Sequence, residues 1–108
     1  MKHEESRLQT EAVRYCRIKG YRTIKGNYEG KIDARSGARE KKMGYEKGTP
    51  DLVVLTPGDT FFIEFKTATG RQTPEQKEMQ KWYEKTGRKY FVCRSVNEFI
   101  NILKNHIK

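Results

Sequence analysis

A chain of 108 residues has room for one small domain with a modest core, and 34% hydrophobic with 34% charged residues is a globular rather than a disordered composition. Lys and Arg number 23 against 14 acidic residues, and the formal charge of +9 favours a polyanionic partner, nucleic acid before a membrane surface. No apolar stretch approaches a spanning length and no signal-peptide pattern opens the chain. Cys16 and Cys93 lie in apolar patterns without a CxxC spacing and read as buried free thiols of a reducing compartment.

Residues from about Glu4 to Lys19 read as a helix, with Leu8, Ala12, Tyr15 and Cys16 on one stripe and Gly20 just past its end. Glu5 and Gln9 fall on the same inward side, so the stripe that faces the core begins with two polar groups. Glu5 either complements the helix dipole in the first turn or serves a site. Tyr21 to Tyr28 read as a first strand interrupted by Gly26 and Asn27. The segment from Glu29 to Lys47 shows no apolar period and carries Arg35, Arg39, Lys41, Lys42 and Lys47 among glycines. It reads as a mobile basic loop suited to a phosphate backbone, with a solvated connector as the plainer alternative.

Leu52 to Leu55 and Phe61 to Phe65 flank a cluster of turn formers, Thr56 to Thr60, and predict a β-hairpin. Alternation puts Phe62, Glu64 and Lys66 on one face. With a turn of two or three residues, Asp51 falls opposite Phe65 or Lys66, within one residue step of Glu64. Two carboxylates brought together repel and raise the pKa of one of them unless a cation neutralises both. An oxygen-rich site of this kind suits Mg²⁺ or Mn²⁺, and Lys66 is placed to orient a water. His3 and His106 stand near opposite ends with no partner at helical spacing, which argues against zinc.

After a short link containing Gly70 and Arg71, Thr73 as N-cap, Pro74 and Gln76 form a capping-box signal, and Gly87 stops the helix. Met79, Trp82, Tyr83 and Thr86 make its inner stripe, which Gln76 extends, and Lys77, Lys81, Lys85 and Arg88 supply an exposed basic side. Gln76 is a capping residue, a site residue, or both. Lys89 to Arg94 read as a buried strand. Ser95 with Glu98 gives a second capping box, ahead of a last helix that buries Val96, Phe99, Ile100, Leu103 and Ile107.

Pro50-Asp51 followed by Glu64-Phe65-Lys66 resembles the PD-(D/E)XK nuclease superfamily. Glu5 with Gln9, Asn27, Gly44, GTPDLVVL at 48–55, FIEFK at 62–66 and Gly70 through Gln76 narrow the likeness, and nearly the whole chain resembles a stand-alone VRR-NUC domain. That resemblance implies a single domain over 1–108 with a small restriction-endonuclease-like α/β fold, a mixed central sheet flanked by helices in the order α-β-β-β-α-β-α. It also implies that Glu5, Asp51 and Glu64, with the carbonyl of Phe65, hold Mg²⁺ or Mn²⁺, that Lys66 positions the attacking water, and that Gln76 supports the site. Glu4 and Glu11 are alternatives to Glu5 under a different helix register. Thr49 occupies a place where the family commonly has a small apolar residue.

The function implied is a metal-dependent DNA endonuclease of the cytoplasm of a bacterial or phage-infected cell. By similarity to Holliday junction resolvases it would act on branched DNA as a symmetric dimer. Arg35, Arg39, Lys41, Lys42, Lys47, Arg71 and Lys77 are the candidate DNA contacts. Two rival classes predict different chemistry: a nucleic-acid-binding module without catalysis, and an inactive subunit of the same fold whose metal serves stability alone.

Overall fold

The computed structural model describes residues 2–26 and 48–107. Asn27, Gly44 and the basic segment 29–47, including Arg35, Arg39, Lys41, Lys42 and Lys47, lie outside the described residues. The described elements are α1 (Lys2–Lys19), β1 (Arg22–Lys25), β2 (Leu52–Thr56), β3 (Asp59–Phe65), α2 (Pro74–Lys85), β4 (Lys89–Cys93) and α3 (Val96–His106), in the expected order α-β-β-β-α-β-α.

Helix α1 ends where its sequence signal puts the stop. Gly20 takes φ 80°, its N–H donates to the Arg17 carbonyl, and the Tyr21 N–H reaches back to that of Cys16. This left-handed cap satisfies carbonyls that the helix itself leaves open and turns the chain into β1.

The four strands form one mixed sheet in the order β1-β2-β3-β4. β1, β2 and β3 pair antiparallel, and β3 pairs parallel with β4. A parallel pair needs a crossover, which α2 supplies. The hairpin turn has two residues, within the two or three expected, and sits toward the start of the turn-former cluster. Thr56 pairs with Asp59, leaving Pro57 and Gly58 in the turn, where proline fixes one φ and Gly58 takes a φ of 84°.

That turn resets the register. Leu52 pairs with Ile63, so Asp51 at the next step stands level with Glu64, not with Phe65 or Lys66 as the sequence reading had it. The two acids therefore share a face of the sheet as well as an end.

Strand alternation sorts the sheet into two faces. On one, Leu52, Val54, Phe61, Ile63, Phe65 and Cys93 join Ala12 and Cys16 of α1 with Phe99 and Leu103 of α3 in the main core. On the other, Phe62, Tyr83 of α2 and Tyr90 stack in sequence at centroid distances of 4.5 and 5.7 Å. The layers are thus α1 and α3, the sheet, then α2. Cys16 and Cys93 are buried free thiols, as predicted, and burial pushes their pKa values up to about 11 and about 12.

Two details of the helices differ from the sequence reading. Trp82, assigned to the inner stripe of α2, is 53% exposed and carries the Arg88 guanidinium over its ring, because Tyr83 alone turns into the aromatic stack. At α3, Ser95 accepts from the Glu98 N–H as an N-cap should, but Glu98 accepts from the Arg94 N–H instead of closing the box on Ser95. None of the described helices is long and apolar enough to cross a membrane.

Candidate active site

Pro50 is buried, and its carbonyl lies where Gly26 passes closest; a Cβ on Gly26 would sit 2.0 Å from that oxygen. The Gly26 N–H donates to the Asp51 carbonyl at 2.9 Å, so the end of β1 fixes the backbone from which the Asp51 side chain projects. Its carboxylate Oδ2 then accepts the Phe65 N–H at 2.8 Å. A hydrogen bond from backbone to carboxylate at the end of β3 locks the two halves of the motif together.

Glu64 is the centre of the cluster. It is 1% exposed, and its Oε2 accepts from Gln76 Nε2 at 2.6 Å while Lys66 Nζ stands 3.8 Å away. Lys66 is itself buried to 8% exposure. The second oxygen of Glu64, Oε1, is buried with no hydrogen-bond partner. The Glu64 pKa is raised from 4.5 to about 8, by burial first and by the neighbouring Asp51 charge next, with Lys66 working in the opposite direction and Glu5 adding a smaller upward push. Asp51 also lies close enough to exchange a hydrogen bond with Glu64 when one of the pair is protonated.

Gln76 reaches Glu64 because the first turn of α2 is held rigidly. The Thr73 hydroxyl accepts from the Gln76 N–H, and Gln76 Oε1 accepts in return from the Thr73 N–H, which completes the predicted capping box. The remaining amide hydrogens are free to point at the carboxylate. Gly48 supplies the docking surface. At φ 86° it brings its Cα against the first turn of α2, where a Cβ would fall 2.6 Å from the Glu75 carbonyl oxygen. The GTPD run therefore joins a close helix approach at Gly48, the buried Pro50 beside Gly26, and the acid itself.

Of the expected site residues, Asp51, Glu64, Lys66 and Gln76 are brought together directly. Glu5, half-buried in the first turn of α1, acts on Glu64 through space. Among the described residues, no three Asp, Glu, His or Cys side chains form a ready cation-binding group. Arg71 and Lys77 are exposed on either side of the α2 cap. Two neighbours escaped the sequence reading. Tyr90 is level with Phe62 in the parallel register and so shares the face of Glu64; its buried hydroxyl has no hydrogen-bond partner, and burial followed by the Glu64 charge raises its pKa, keeping it a phenol. Gln72 lies beside it and donates to Gln80 of α2. Only the register of β3 against β4, which no turn signal encodes, would have revealed Tyr90.

The residues present fit a hard divalent cation. Glu64 Oε1 is an orphaned buried oxygen, the carboxylates of Asp51 and Glu5 act on the same group, and a carboxyl held near pKa 8 by burial and then by its acidic neighbours is one that a cation would stabilise in ionised form.

A mixed sheet between helices, with two acids and a lysine at one end of its central hairpin, defines the restriction-endonuclease-like class of α/β domains. Within it the chain belongs to the nuclease-related domain family (NERD), whose model matches residues 39–108. Solved structures point the same way. One described as a VRR_NUC domain is 26% identical, with a TM-score of 0.68 over 97% of this chain and 98% of that one. A second, a VRR_NUC domain protein, is 22% identical with a TM-score of 0.71 over 95% of this chain and 87% of that one. A search of curated proteins returns no match. The fold is that of a VRR-NUC domain.

Proposed function

We propose that this domain is a Mg²⁺- or Mn²⁺-dependent deoxyribonuclease. The observation that carries the reading is Glu64, a buried carboxylate with one oxygen engaged by Gln76, the other unpartnered, and Asp51 and Lys66 beside it. Asp51 and Glu64 would hold the cation, with Glu5 and the Phe65 carbonyl as further oxygen donors. When bound, it supplies Lewis-acid polarisation of the phosphate and a more acidic water.

The remaining work falls to the chain. Gln76 fixes Oε2 of Glu64 and so aims Oε1 into the site. The Phe65 N–H holds Asp51 in the same way. Lys66, desolvated and short of full neutralisation by Glu64, orients the attacking water and offsets the negative charge that grows on the phosphate oxygens. Water oxygen bonds to phosphorus as it gives up a proton to solvent, the bond to the leaving oxygen breaks, and that oxygen takes up a proton from solvent in turn. Arg71 and Lys77, flanking the α2 cap, would contact the DNA backbone, as would the basic residues of segment 29–47.

Branched DNA and a symmetric dimer complete the reading. They rest on the resemblance to junction resolvases, in which a two-fold pair of sites addresses two strands. A decisive comparison sets wild type against Asp51→Asn on linear, flapped and four-way DNA with Mg²⁺, Mn²⁺ or EDTA, alongside sedimentation of the free protein. Metal-dependent cleavage lost by at least about 100-fold in Asp51→Asn is the expected result. Equal cleavage by both proteins would sink the mechanism; a monomer that cuts only linear DNA would sink the substrate.

The formal charge of +9 also fits, as a second reading, a module that binds nucleic acid without cutting it. It predicts salt-sensitive binding that is indifferent to divalent metal.

A further inference from the structure

Away from the carboxylates, α1 and β1 enclose a groove of about 370 Å³. Its cationic groups are Arg14 and Arg17 of α1 and Lys25 of β1, and its neutral polar groups are Ser6, Gln9 and Thr10; among the described residues no acidic side chain lines it. These helix residues recur at three- and four-residue spacing, so they form one stripe along α1. The stripe lies beside the one that carries Ala12 and Cys16 into the core, with Gln9, expected on the inward side, and Val13, which packs against the core, at the border between them.

Both walls of the groove run into the candidate active site. On the helix, Gln9 stands one turn beyond Glu5. On the strand, Lys25 precedes Gly26, whose N–H is bonded to the Asp51 carbonyl. From Ser6 to Arg17 the helix rises roughly 16 Å at 1.5 Å per residue, the rise of about five nucleotides along one DNA strand. Arg14 and Arg17 are exposed, and among the described residues neither is paired with a carboxylate.

We propose that this α1–β1 groove holds the sugar-phosphate backbone of one strand of a DNA duplex and leads it to Asp51 and Glu64. The guanidinium groups of Arg14 and Arg17 take phosphate oxygens in forked hydrogen bonds, Lys25 adds a point charge nearer the site, and Ser6, Gln9 and Thr10 donate to neighbouring phosphates. These contacts go to phosphates, which carry no sequence information, so binding here should be independent of sequence. An acidic peptide would satisfy the same cations, but continuity with a phosphodiester-cleaving site favours the nucleic acid. The proposal rests on the nuclease reading of that site.

The test measures binding of a fluorescent DNA duplex by anisotropy in EDTA, where no cleavage intervenes, across a range of salt concentrations. Arg14→Ala/Arg17→Ala should bind about tenfold more weakly, with the slope of log affinity against log salt reduced by nearly two, one unit per lost phosphate contact. Arg14→Lys/Arg17→Lys should keep the wild-type slope. Unchanged melting temperatures for both variants exclude a folding defect. If Arg14→Ala/Arg17→Ala matches wild type in affinity and slope, the groove is not a DNA track. A wild-type protein that fails to bind duplex overturns the groove and leaves the nuclease to the cleavage assay above, whereas wild type that binds through these arginines but never cleaves with metal sinks catalysis and upholds the groove.

Discussion

Glu64 condenses the chemistry of this domain into one titration. Its folded pKa of about 8 lies above its ordinary 4.5, so between those values the folded protein retains a proton that the unfolded chain releases. Its contribution to stability is therefore fully present below pH 4.5 and is lost as pH rises toward 8. The metal-free protein should melt at progressively lower temperature across that interval, a loss on the order of a few kcal/mol. Glu64→Gln should flatten the profile, melt higher than wild type near pH 8, and cleave DNA at least about 100-fold more slowly. A pH-independent melting temperature for wild type would contradict this account of the site. The candidates Asp51, Glu64 and Lys66 were legible from alternation and like-charge repulsion alone. Tyr90 was not, because its approach depends on a parallel pairing set by helix packing rather than by local sequence.

At the scale of elements, α2 is positioned by two small features. Thr73→Ala removes the hydroxyl that accepts the Gln76 N–H and should cost about 1 kcal/mol in denaturant unfolding. It should also slow cleavage, since Gln76 loses the anchor that aims it at Glu64. Gly48→Ala is the harsher change. It places a Cβ against the Glu75 carbonyl at a left-handed backbone angle, and the expected loss exceeds about 1–2 kcal/mol by the same measurement. Wild-type stability in Gly48→Ala would show that this contact can relax. The capping box of α2 was readable because its residues follow one another in the chain. The register of the hairpin was misjudged because five consecutive turn formers do not fix which of them make the turn, and Trp82 was misplaced because helical spacing cannot distinguish a half-covered stripe from a buried one. The partner chosen by Glu98 was equally hidden, since Arg94 and Ser95 offer it adjacent N–H groups.

At the scale of the molecule, a charge of +9 on 108 residues predicts DNA affinity that falls steeply with salt, which titration at two ionic strengths would measure. Fold class and element order were legible in the sequence because each helix carries its own start or stop signal and β2, β3 and β4 each their own apolar run, while the short, largely exposed β1 follows the stop of α1. The layering has a further consequence. Glu5 comes from the helix layer on one side of the sheet, Gln76 from the layer on the other, and Asp51 and Glu64 from the strands between them. The candidate site thus runs through the thickness of the domain, and the proposed cation, held by Glu5, Asp51 and Glu64, would tie α1 to the sheet while Gln76 ties α2 to Glu64. Titrating Mg²⁺ into the protein should slow amide hydrogen exchange in the first turns of α1 and α2 together, while the middle of α3, remote from the site, keeps its own rate. Nuclease competence and mechanical cohesion would then be two readings of one equilibrium, so that the domain is most tightly assembled at the moment it is armed.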